Sequence, residues 1–204
     1  MKFSRTVPAL LVVLLPLAAA PLAHAQLLNT GLGNGTTFRG ADYGPGQLVS
    51  VTTATTLTKI GFYVGSNGGN LKYMIWDATN TSLLFSTVLS VGAIAQGTLT
   101  LSNPFSFALN AGSSYYFGII SDQSVNVSYF SPPIFTSQNG LTLAGTNSNY
   151  INFAAPQSAG NAAASIALDL EGTQTTATPE PASLALLGTG LLGIVGFAVR
   201  RREA

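Results

Sequence analysis

The chain has 204 residues, room for one domain of ordinary size but not for two with independent cores. Charged residues make up only 7% and there is no cysteine, so disulfide frameworks and thiolate metal sites are excluded. The net charge of +1 misleads: Lys2, Arg5 and Arg200 to Arg202 lie at the ends, while the middle sets Arg39, Lys59 and Lys72 against Asp42, Asp77, Asp122, Asp169 and Glu171, with no basic stripe for nucleic acid.

Met1 to Arg5 gives a basic start, Val7 to Ala20 an apolar run broken only by prolines, and Ala23-His24-Ala25 places small residues where a signal peptidase inspects them. Residues 1–25 thus form an expected signal helix, cleaved before Gln26 after engagement by the secretion machinery. Pro8, Pro16 and Pro21 argue against an uncleaved spanning helix.

Residues 26–172 form the expected body, in which short β-prone runs are separated by turn residues. Strands are expected at Gln47–Thr53, Thr56–Val64, Leu71–Asp77, Ser82–Leu89, Thr98–Leu101, Phe105–Leu109, Ser114–Ser121, Asn126–Phe130, Asn149–Phe153 and Ser165–Glu171. Alternation over Leu57 to Val64 sets Leu57, Lys59, Gly61 and Tyr63 on one side and Ile60, Phe62 and Val64 on the other. Gly65 to Asn70 permits positive φ at several points and predicts a hairpin joining Val64 to Leu71. With no amphipathic helix between the runs, the fold class is all-β, an antiparallel β-sandwich of jelly-roll type.

After the body, residues 173–178 read as a Thr-rich linker, followed by Pro179-Glu180-Pro181, the uncharged stretch Ala182 to Val199 and Arg200-Arg201-Arg202. Eighteen helical residues rise about 27 Å, enough for a single transmembrane helix. The arginines keep to the cytoplasmic side, which places the body outside. The prolines hold the tripeptide extended and accessible just beyond the bilayer.

This arrangement resembles the PEP-CTERM sorting signal of Gram-negative bacteria, the resemblance covering residues 179–204. It implies that Pro179, Glu180 and Pro181 are the processing motif, Ala182 to Val199 the membrane segment and Arg200 to Arg202 the basic stop. It further implies that an exosortase, a membrane protease, cuts near the motif and passes the body towards the cell surface or matrix. The stretch from Leu57 to Asp122 is similar in general pattern to β-sandwich modules of bacterial surface proteins and of some carbohydrate-binding domains.

His24, the one histidine, leaves with the signal, so serine-histidine, cysteine-histidine and histidine-metal chemistries are excluded by composition. Asp169 and Glu171, two apart on one expected strand, are the best carboxylate pair for a hydrolase and read more simply as solvated acids. Trp76 beside Asp77 is the sharpest local feature: an exposed indole stacks on sugar rings, and a carboxylate accepts their hydroxyls. Trp76 reads equally as a sandwich core residue, and the latter is favoured. Asp77 with Asn80, or Asp122 with Asn126, offers oxygen ligands without the spacing of a twelve-residue calcium loop, so no metal and no cofactor are expected. The expectation is a non-enzymatic surface or matrix protein, transiently anchored in the inner membrane, with a structural or adhesive role in biofilm or exopolysaccharide. The alternative is a lectin-like module that binds polysaccharide through Trp76 and Asp77.

Overall fold

A computed structural model describes residues 25–162 and 164–174. The signal residues before Ala25, Ala23 among them, and the tail with Pro179 to Pro181, the expected membrane helix and Arg200 to Arg202 lie outside the described residues. Among the described residues no helix is long and apolar enough to cross a membrane.

The strands are β1 (Ala25–Asn29), β2 (Gly35–Arg39), β3 (Tyr43–Val51), β4 (Thr55–Ser66), β5 (Gly69–Asp77), β6 (Leu83–Val91), β7 (Ile94–Leu101) and β8 (Phe107–Leu109). They continue with β9 (Ser114–Ser121), β10 (Val125–Phe130), β11 (Thr136–Gln138), β12 (Leu141–Ile151), β13 (Gln157–Ala162), β14 (Ser165–Ile166) and β15 (Leu168–Gln174). All pairings are antiparallel. The first sheet runs β1-β15-β4-β10-β14, with β7 and β8 also on β4 and β2 on β10. The second runs β11-β12-β3-β9-β5-β6, with β13 on β12.

One apolar cluster lies between the sheets, drawing Ile60, Phe62, Val64, Leu168 and Leu170 from the first and Leu71, Tyr73, Ile75, Phe117 and Ile119 from the second. The Phe62 and Tyr73 rings meet across it at 6.2 Å. Each aliphatic or aromatic side chain buried there contributes about 1.5–3 kcal/mol, which lets a domain without disulfides hold together.

Two local expectations are corrected. Strict alternation places Leu57 on the Lys59 side, but it is wholly buried with Ile60. In the ladder with β15, Glu171 opposes Lys59 and Gly172 opposes Leu57, so Thr58 bulges out and reverses the alternation. The Gly65 to Asn70 turn is no hairpin, because β4 and β5 belong to different sheets. The apolar faces of both strands point into the same core, and they satisfy it by facing each other across the sandwich. Two strands that were not expected, β1 and β2, precede Gln47, and β15 runs past the expected end of the body at 172 through Thr173 and Gln174, paired with Thr56 and Thr55.

β15 lies between β1 and β4, with Ala25 opposite Gly172. The start of β1 and the end of β15 therefore leave the sandwich side by side.

Candidate functional site

The alternative reading, a sugar platform at Trp76, does not have its indole at the surface. Trp76 is 3% exposed, on the outer face of the second sheet in a small cluster with Met74, Tyr116, Ile120 and Tyr150. Period two sends Tyr73 and Ile75 inward and Met74 and Trp76 outward, and Tyr150 from β12 covers the outward pair. The Trp76 and Tyr150 rings stack at 5.2 Å with a 14° interplanar angle. Gly118 beneath makes room, since a Cβ there would stand 2.6 Å from Tyr150 Cε2. The Tyr150 hydroxyl donates to Asn80 Oδ1 at 2.8 Å, and Asn80 Nδ2 donates to the Ser148 and Ser158 hydroxyls at 2.5 and 2.6 Å. Burial pushes the Tyr150 phenol above its ordinary range. With its ring covered by Tyr150, Trp76 is a packing residue.

Asp77 opens the β5–β6 turn. Its carboxylate accepts the backbone N–H groups of Thr81 and Ser82 at 2.9 and 3.2 Å and the Thr79 hydroxyl at 2.8 Å. Desolvation works against ionisation, but these bonds together hold the carboxyl below its ordinary value. Asp122 likewise accepts the backbone and side-chain N–H of Asn70 at 2.7 and 2.6 Å. Both acids are engaged in turns, and the described residues contain no group of three or more acids or histidines placed to hold a metal ion.

Asp169 and Glu171 share the outer face of the first sheet but not a groove. Asp169 is wholly buried, and its Oδ2 accepts Gln26 Nε2 and Asn29 Nδ2, each at 2.5 Å, while Oδ1 has no partner. Burial raises its carboxyl above the ordinary value, the Gln26 hydrogen bond opposing. Glu171 pairs with Lys59 at 2.9 Å. Gln26, expected to become the first residue after signal removal, is thus part of the β1–β15 ladder and of this buried contact.

A feature that the sequence reading missed lies on the same outer face, at the β2 end. Asn126 of β10 has Phe38 of β2 opposite it on one side and Gly65 of β4 on the other. β7 pairs Thr98 with Val64 and Ile94 with Ser66, so three β7 residues pass a single β4 residue and bulge. The bulge brings Gln96 over Gly65, where a Cβ would lie 2.7 Å from Gln96 Cα. Between this arch and β2, whose Phe38 is 66% exposed, run adjoining hollows of about 240 and 290 Å³ that share Gln96. A third, of about 460 Å³, continues past Asn67 and Ser124 to Gln123.

Compared with known protein families, residues 177–202 match the PEP-CTERM protein-sorting motif. No curated protein matches the chain. Among solved structures, the VP2 protein of infectious bursal disease virus is 12% identical over 93% of this chain and 53% of that one, with a TM-score of 0.29. An infectious bursal disease virus particle is 13% identical over 87% and 45%, also at 0.29. The chain spans about half the length of these proteins, and so slight a likeness carries no weight for function.

Proposed function

We propose that this is an exported bacterial surface or extracellular-matrix protein, cut at Pro179-Glu180-Pro181 by an exosortase, with a jelly-roll-like body that has a structural or adhesive role in biofilm or exopolysaccharide. The observation that carries the reading is the sorting motif at residues 177–202. In this reading signal peptidase removes residues 1–25, the tail helix anchors the chain until it is cut, and the arginines stop its transfer.

The fold supports the scheme at one point. β1 begins at Ala25 opposite Gly172, so the chain enters and leaves the described sandwich at one end. Five residue steps separate Gln174, the last of β15, from Pro179, and such a segment reaches at most about 18 Å. In this reading a membrane protease meets its motif close beneath the folded body, and loss of the tail removes none of the described strands.

Intact-mass spectrometry of the protein from its native host, in cells and in medium, tests the proposal. The expected mature species begins at Gln26 and ends near Pro179 to Pro181. Alanine at all three motif positions should leave the full tail in the membrane fraction. Recovery of the native protein with Arg200 to Arg202 attached, in a host that has an exosortase, would refute it.

A further inference from the structure

We infer that the trough between β2 and the β7 bulge binds a neutral, polyhydroxylated chain, a stretch of uncharged polysaccharide. The inference stands on the body alone and is independent of how the tail is processed.

Its lining carries no ionisable side chain, being built from amides, hydroxyls, glycines and the apolar Leu32, Phe38 and Ile94. Elsewhere the amide side chains of Gln26, Asn29, Gln47, Asn70 and Asn80 are tied into bonds that hold the fold. Along the trough, Asn34 is tied to the Ser131 backbone in the same way, but no hydrogen bond to another described residue engages the side chains of Gln96, Asn126, Asn67 or Gln123. Each such amide presents two donors and an acceptor, a set that matches sugar hydroxyls, which both give and receive. The Ser128 hydroxyl at the base of the second hollow is buried without a partner, a further polar group that the protein leaves unanswered.

Phe38 completes the site. A phenyl ring held in water on an exposed strand costs free energy, and beside polar groups it offers the flat apolar surface that the C–H face of a pyranose covers. Arg39, next to Phe38 in the chain, stacks over the Tyr43 ring at 5.0 Å and lines none of the three hollows, so no cation stands in the trough to meet an anionic glycan. The hollows are also linked end to end through Gln96 and then through Asn67 and Ser124, a shape for a polymer more than for a single sugar.

The test uses the full chain in detergent micelles, titrated by calorimetry with cellohexaose, laminarihexaose, maltohexaose, mannohexaose and chitohexaose, with hexagalacturonate as the anionic control. At least one neutral hexasaccharide should bind, and Phe38→Ala and Gln96→Ala should each weaken it about tenfold or more, as removal of an anchor does. The emission of buried Trp76 reports that both variants stay folded, and Asp77→Asn should bind as the native chain does. The inference is overturned if no neutral hexasaccharide binds at millimolar concentration, if hexagalacturonate binds more tightly than all of them, or if binding survives both substitutions.

Discussion

The pair of rings on the outer face of the second sheet makes a quantitative prediction. Tyr150→Phe keeps the stack on Trp76 and removes one oxygen. What is lost is the bond to Asn80 Oδ1, which stays buried while Asn80 Nδ2 remains committed to Ser148 and Ser158. A buried acceptor left unmatched costs about 1–3 kcal/mol. At about 2–4 °C per kcal/mol for a domain of this size, the melting temperature should fall by roughly 2–12 °C. Tyr150→Ala adds the loss of the ring and the cavity beneath it, about 3–5 kcal/mol, and should lower it further. Trp76 is the one tryptophan and lies in the same cluster, so its emission reports the transition without a label. A Tyr150→Phe variant that melts with the native protein would show that Asn80 is not held by this hydroxyl, and would refute the network as a source of stability.

The buried carboxyl gives a pH prediction. Because burial raises Asp169, the folded state keeps that proton to a higher pH than the unfolded chain does. The group costs nothing below the unfolded pKa, near 3.9, and destabilises increasingly as pH rises through the folded value. Asp169→Asn should therefore unfold at higher denaturant concentration than the native protein at pH 7, with the gap closing towards pH 3; a variant that is weaker at pH 7 contradicts this. Lys59→Met, which breaks a partly exposed ion pair, should cost no more than about 1 kcal/mol and less in high salt, by the same denaturant assay.

Much of the architecture could be read from alternation alone. Period two pairs Tyr73 with Ile75 and Met74 with Trp76 without saying which pair faces the main core, and the strands at 71–77, 114–121 and 126–130 lie close to where β-prone runs end in turn residues. The sheet to which each strand belongs was not legible, because a turn such as Gly65 to Asn70 serves equally to pair two strands and to carry the chain across a core. The bulge at Thr58 leaves no local mark either. Trp76 reads identically as platform and as packing until Tyr150, seventy-four residues later, is seen to cover it. The trough was hidden for the same reason, since Phe38, Gln96 and Asn126 come from three distant strands. The exposed phenylalanine beside the two threonines of β2 is the one local hint.

The position of β15 also bears on how the molecule is made. It is the last of the described strands, yet it lies inside its sheet with neighbours on both flanks, and Leu168 and Leu170 are buried in the core. A body built this way cannot close progressively while it is threaded outward. Molecules truncated before Leu168 would keep a gap beside Phe62 and remain open to proteases, so the fold closes only once β15 has been made.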